Sequence, residues 1–196
     1  MKGKIKIKFL FIIIIFLFVL FFIFYQIMCK NSKNVHTNSS QEIVNNILNI
    51  SSYEAIIEVK IEGNKDQNSY KIRQKYTAPD SNEQEILEPE NIAGVKIIRQ
   101  GEKLILENTA LNLKSIIEDY NYISSNKLDL NSFIEEYKQD EKAKCIEKEE
   151  IILETNNTDK KTLYIDKKTG NPTQMVIEDN SKKNTVYILY NEVKIK

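Results

Sequence analysis

Hydrophobic positions along this chain follow three patterns in succession. From Phe9 to Met28 they are nearly continuous, broken only by Tyr25 and Gln26. A helix rising about 1.5 Å per residue over that run would match the roughly 30 Å hydrocarbon core of a bilayer. From Ile43 to Leu48 they recur at helical spacing: Ile43, Val44, Ile47 and Leu48 form one stripe. Ser39 and Glu42 ahead of that stripe fit a capping box, so a helix is predicted from about Ser39 to Ile50. From Tyr53 the period becomes two. Ala55, Ile57, Val59 and Ile61 alternate with Glu54, Glu58, Lys60 and Glu62. Tyr70, Ile72 and Tyr76 alternate with Lys71, Arg73 and Lys75 beyond the turn Gly63–Asp66. This predicts a long antiparallel hairpin with one wet face.

Further strands are predicted over Glu83–Leu87, Ile92–Arg99, Lys103–Glu107, Cys145–Thr155, Lys161–Asp166, Gln174–Glu178 and Thr185–Ile195. Polar turns at Asn156–Asp159, Lys167–Pro172 and Asp179–Lys183 link the last four into a meander. Two helices interrupt the strands. Leu113, Ile116, Ile117 and Tyr120 fall at i, i+3, i+4 and i+7 and predict a short amphipathic helix. A second starts at Asp129–Asn131, where Ser132 and Glu135 fit a capping box and Phe133, Ile134 and Tyr137 point inward. The lack of βαβ alternation argues against a parallel nucleotide-binding sheet. The expected fold class is α+β: one large, curved antiparallel sheet with helices on one face, preceded by an N-terminal membrane helix.

Charge fixes the topology of the leader. Lys2, Lys4, Lys6 and Lys8 precede the apolar run and stay cytoplasmic by the positive-inside rule, so residues 30 onward are expected at the extracytoplasmic face of the cell membrane. The expected organisation is 1–29 leader, 30–38 polar tether and 39–196 sheet domain. Cys29 ends the run, where a lipobox cysteine would stand, after Gln26-Ile27-Met28. Two readings stay open: Cys29 is lipidated and becomes the mature N-terminus, or the segment is retained as a single-pass helix. The four leader lysines leave 24 basic against 28 acidic residues beyond residue 29. A mildly acidic domain carries no electrostatic footprint for nucleic acid.

Candidate chemistry is sparse. The five glycines are not clustered into a phosphate loop. His36 is the single histidine and lies in the tether, which leaves the domain without a Ser-His or Cys-His pair and without a zinc ligand set. Cys145 reads as a small hydrophobe on a strand rather than a nucleophile. The acidic pairs Glu135-Glu136 and Glu147/Glu149-Glu150 could act as acid and base, but in strands and after helix caps such charges are usually a solvated face. The residues alone therefore point to no specific catalytic residue, metal or cofactor, and the acidic pairs keep a hydrolase open as a further reading.

Several segments carry a family resemblance: Tyr70-Lys-Ile-Arg-Gln-Lys-Tyr-Thr-Ala-Pro79, Glu88-Pro89-Glu90, Ile92-Ala-Gly-Val-Lys-Ile-Ile-Arg-Gln-Gly101, Leu163-Tyr-Ile-Asp-Lys-Lys-Thr-Gly-Asn-Pro172 and the closing strand Val186–Ile195. Together with a lipoprotein-like leader, they resemble the LolA/LolB-like lipoprotein-carrier superfamily, and within it the GerS-like germination lipoproteins of clostridial spore-formers. The resemblance covers roughly Tyr53 to Lys196. It implies a half-open antiparallel barrel with helices in its mouth and a non-catalytic, membrane-held protein that partners a cell-wall amidase in spore cortex modification and germination. Carrier-type relatives imply the alternative, a carrier or sensor of lipids or lipoprotein acyl chains. A homodimer is a further possibility of this reading.

Overall fold

The computed structural model of the chain describes residues 39–63, 67–118, 128–157, 159–179 and 184–196. The leader, the tether, Cys29 and His36 lie outside the described residues. Among the described residues no helix is long and apolar enough to cross a membrane.

Eleven strands form one sheet in the order β6-β5-β4-β3-β2-β1-β11-β10-β9-β8-β7. They are β1 Ser52–Glu62, β2 Gln67–Thr77, β3 Ser81–Glu88, β4 Val95–Gln100, β5 Lys103–Asn108, β6 Leu113–Ile117, β7 Lys144–Glu147, β8 Ile151–Asn156, β9 Lys160–Ile165, β10 Pro172–Asp179 and β11 Asn184–Ile195. Every pairing is antiparallel. The sheet is open: β6 and β7 each have a single neighbour. It consists of two meanders, β1–β6 and β7–β11, joined where the first strand pairs with the last, from Tyr53/Ile195 to Glu62/Thr185.

Alternation decides which face is inner. Tyr53, Ala55, Ile57 and Val59 of β1 are buried, as are Ile72, Gln74 and Tyr76 of β2, with the charged residues between them turned outward. The two helices cover this face: α1 (Ser40–Leu48) and α2 (Leu130–Gln139). Ile43, Val44 and Ile47 of α1 and Leu130, Phe133 and Ile134 of α2 share one core with Ile151, Leu153, Leu163, Ile165, Met175, Ile177 and Ile188. A partly buried ion pair adds a polar tie, since Lys161 on β9, 1% exposed, donates to Glu136 on α2. Bulges leave Leu87, Thr173 and Asn191 unopposed and bend their strands.

The α1 cap is as expected: Glu42 N–H donates to Ser39 Oγ at 3.3 Å. Four other expectations are corrected. Leu113–Ile117 is a strand, not the start of an amphipathic helix. The i, i+3, i+4 spacing is present, but two β-branched isoleucines at 116 and 117 and an open edge on β5 favour pairing. The α2 cap is Asp129, whose side chain accepts from Asn131 N–H, and Ser132 lies inside the helix with its neighbours Leu130 and Phe133 buried. The earlier start brings Leu130 into the core. Cys145–Thr155 is two strands, β7 and β8, because the charged run Glu147–Glu150 cannot continue a buried alternation and instead reverses the chain, Lys148 N–H donating to Glu150 O. Finally, β4 begins at Val95 rather than Ile92. Glu90–Ile92 forms a single 3-10 turn, and Gly94, at φ +82°, swings its N–H onto Ile86 O at 2.8 Å.

The core should be far less tolerant than the edge. Phe133→Ala is expected to lower unfolding free energy by about 3–5 kcal/mol. Ile116→Ala, on an exposed strand, should change it by less than about 0.5 kcal/mol, both read by urea denaturation of the full chain in detergent.

A candidate partner-binding edge and the buried carboxylate behind it

Helices and side chains fill the inner face over β8–β11 and β1, but among the described residues no helix covers the β4–β6 end of the same sheet. The β5–β6 hairpin turns through Thr109–Asn112. Asn112 takes the left-handed conformation at φ 51°, which Asn tolerates better than most residues, and Asn108 Oδ1 accepts from Leu111 N–H at 3.1 Å. The hairpin then presents five large apolar side chains to solvent: Leu106, Leu111, Leu113, Ile116 and Ile117, with Leu111 65% and Leu113 60% exposed. Register separates them. Leu113 and Ile117 oppose Asn108 and Leu104 on the inner face, and Ile116 opposes Ile105 on the outer. A cleft of about 320 Å³ opens beside them, lined by Val95, Leu106, Glu107, Asn108, Leu113, Lys114 and Ser115.

Isolated exposed apolar residues are ordinary, but a contiguous group on an unpaired edge is not, because such an edge is a template for another strand. The opposite edge differs. β7 is four residues long, with Lys144 and Glu147 exposed at its ends. Glu147 accepts from Ser40 Oγ at 2.6 Å and from Lys167 Nζ at 2.9 Å while staying exposed.

Between the packed half of the inner face and the open half lies a polar band. Register aligns Tyr53, Tyr76, Asn82 and Arg99 across β1–β4, with Gln74 and Gln84 in the adjacent row. Asp129, the α2 cap, is fully buried above them. Its Oδ1 accepts from Tyr53 Oη at 2.5 Å and from Asn131 N–H at 3.2 Å, and its Oδ2 is 4.0 Å from Arg99 Nη2. Gln74 Nε2 donates to Leu128 O at 2.9 Å. Asp129 Oδ2, Asn82 Nδ2, Gln84 Nε2 and Tyr190 Oη are buried without a hydrogen-bond partner of normal geometry. Burial pushes the Asp129 carboxyl above the usual carboxylate range, and the Tyr53 hydrogen bond, the Asn131 N–H and Arg99 only partly offset it. Burial, reinforced by the Asp129 charge, likewise raises the Tyr53 and Tyr190 phenols. The band holds α2 at a fixed place on the sheet. Alternation puts Gln74 on the face of Ile72 and Tyr76, but the sequence pattern does not show that Asn82, Gln84 and Asp129 gather there with it.

The sequence candidates for chemistry are dispersed. Cys145 lies on the edge strand β7 and is exposed rather than packed as a small hydrophobe. Partial burial and the Glu147 carboxylate raise its thiol, the wrong direction for a nucleophile. Glu135 pairs with Lys138 at 3.7 Å within α2, Glu136 with Lys161, and Glu150 accepts from Thr173 Oγ1. Hydrogen bonds from Ser40 and Lys167 hold Glu147 below the usual carboxylate range, unsuited to a general acid. Among the described residues no group of His, Cys, Asp or Glu is placed to hold a metal ion.

The sequence profile of YdcC-like sporulation proteins matches residues 6–196. The chain belongs to that family. No curated protein matches it. Among solved structures it is similar to the LolA superfamily protein NE2245 of Nitrosomonas europaea, at 12% identity and TM-score 0.46 over 80% of this chain and 93% of that one. It is similar to an uncharacterized conserved protein of Thermus thermophilus, at 13% identity and TM-score 0.49 over 81% and 88%. It is also similar to a chain in the complex of the Clostridioides difficile CwlD amidase with the GerS lipoprotein, at 23% identity and TM-score 0.44 over 80% and 89%.

The raised Asp129 pKa has a testable sign. A carboxyl whose folded pKa exceeds its unfolded value gives its full stabilisation below the unfolded pKa and loses it as pH rises through the folded one. Asp129→Asn retains a good helix cap and an acceptor for Tyr53 while removing the charge. The stability of wild type relative to this variant should therefore fall as pH rises from about 4 toward neutrality, read by urea denaturation at successive pH values. A pH-independent difference would show that burial does not govern this carboxylate.

Proposed function

We propose that the protein is a non-catalytic, membrane-tethered extracytoplasmic binding module that serves spore cortex modification by partnering a cell-wall amidase. The observation that carries the reading is the apolar open edge β6, five large exposed hydrophobes on and beside a strand whose outer edge has no neighbour among the described residues. A strand edge offers a row of free N–H and C=O groups, and flanking apolar side chains supply burial when another chain pairs with it. Its opposite number β7 is short and charge-flanked, so the two edges are not equivalent.

Family membership in the YdcC-like sporulation proteins supports the developmental setting. The sequence resemblance to GerS-like lipoproteins supplies the amidase as partner class, and the C. difficile GerS lipoprotein is seen in a complex with the CwlD amidase. A carrier of lipids or lipoprotein acyl chains needs a hollow beneath its helices. Here that ground is occupied by Leu130, Phe133, Ile151, Leu153, Leu163 and Met175, all with 0% exposure. Tethering is assigned to residues 1–29, with Cys29 as the lipidation residue in one of its two forms; the other retains the leader as a single-pass helix.

Affinity capture of the full chain from sporulating cells should recover a cell-wall amidase. The double change Leu113→Asp, Ile117→Asp should reduce that recovery at least tenfold while leaving thermal unfolding nearly unchanged. Recovery of no wall amidase, or equal recovery by both proteins, would reject the reading. Intact mass of the mature protein separates the two anchors, because cleavage at Cys29 removes residues 1–28 and adds acyl mass.

A further inference from the structure

The outer face of the sheet carries cross-strand rows whose last members lie on β6. Pairing partners run in one row from Ile56 through Arg73, Glu85, Lys96 and Glu107 to Lys114. The five charged positions alternate in sign, plus-minus-plus-minus-plus, across five adjacent strands. Arg73 and Glu85 meet at 2.6 Å, and Lys96 reaches diagonally to Glu83 at 3.7 Å. Lys114 ends the row at the open edge, exposed. Two residues along β6 on the same face, the row Glu54, Lys75, Glu83, Ile98, Ile105, Ile116 ends apolar. On the inner face Leu113 and Ile117 flank Ser115, and the cleft lies beside Leu113.

Opposite charges facing across an antiparallel pair are favourable and like charges unfavourable. A strand added to β6 therefore has its side-chain pattern set by the rows it would continue. We propose that the edge takes an extended, antiparallel peptide segment of the partner with an acidic residue opposite Lys114, apolar residues opposite Ile116 and Ile117, and a large apolar residue opposite Leu113 that enters the cleft. Read from its N-terminus the segment is apolar, apolar, any, acidic, apolar. The antiparallel sense follows every other pairing in the sheet. This rests on the edge-docking reading above and adds to it the chemistry of the docked segment. A second copy of β6 fits less well. Centring the two-fold on Ser115 puts Lys114 against Ile116, and centring it on Lys114 puts lysine against lysine.

The test uses fluorescent seven-residue peptides with capped ends, one carrying Val-Ile-Thr-Glu-Leu at its centre and one Val-Ile-Thr-Lys-Leu, titrated by anisotropy against the full chain in detergent. The glutamate peptide should bind about fivefold more tightly than the lysine peptide, the equivalent of about 1 kcal/mol between attraction and repulsion. Raising salt to about 0.5 M should shrink the difference. Lys114→Glu should reverse the preference and Lys114→Met should abolish it, both changes being at an exposed position that the fold does not use. Equal affinities unaffected by Lys114→Glu would overturn the proposed pattern and leave edge docking standing. Binding of neither peptide, together with amidase recovery insensitive to Leu113→Asp, Ile117→Asp, would remove the edge reading as well. Self-association of the chain that β6 substitutions abolish, with no peptide bound, would assign the edge to a second copy and overturn the proposal.

Discussion

Everything in this domain depends on the pairing of its first strand with its last. β1 and β11, 11 and 12 residues long, join two meanders that would otherwise be separate and too small to enclose a core. The pairing closes a loop of well over a hundred residues, a cost in chain entropy that rises only slowly with loop length. It is offset by the burial of Ile57, Val59, Ile188 and Tyr190 at the seam. Backbone bonds between Lys196 and Ser52 and between Ser51 and Lys196 continue the seam to the chain's last residue.

That single pairing dictates the rest of the topology. With β1 and β11 central, the strands consecutive at the junction of the meanders, β6 and β7, are driven to opposite edges. The chain between them has to pass from one edge to the other, and α2 is the described part of that passage. It crosses the inner face, buries Leu130, Phe133 and Ile134, and is held by Asp129 at one end and by the Glu136–Lys161 pair on its body. A buried carboxylate is an expensive way to hold a helix, since desolvation penalises its charge. In return Asp129 combines the helix cap with a hydrogen bond to Tyr53 on β1 and proximity to Arg99 on β4, so it specifies where on the sheet the helix begins.

The same arrangement creates an unequal pair of edges. α2 and α1 pack over the β7–β11 meander and β1, while the tip of the β4–β6 meander keeps its apolar residues exposed. Among the described residues the large hydrophobic side chains left exposed are concentrated at one strand edge. Binding by strand addition needs no catalytic constellation, only a fixed template, and the charge rows on the outer face make that template selective.

How much of this was written in the sequence depends on the range of the interactions concerned. Alternation in Tyr53–Tyr76 and in the last four strands, with polar turns between them, made the antiparallel hairpins and their inner faces legible, because period-two burial is a local property of the chain. So was the α1 cap at Ser39, and the absence of histidine from the domain was enough to set aside most catalytic arrangements. The strand nature of Leu113–Ile117 was not legible, since its spacing suits a helix equally well and only a vacant partner on β5 decided the matter. Nor were the partners of Gln74, Asn82, Gln84 and Lys161: alternation sets Gln74 and Lys161 on the inner face, but the elements that close over them are distant in sequence. The candidate site is in the second class throughout. Which strand is left at the edge follows from β1 meeting β11, a contact between residues nearly a chain length apart, and no local pattern records which strands will be neighbours.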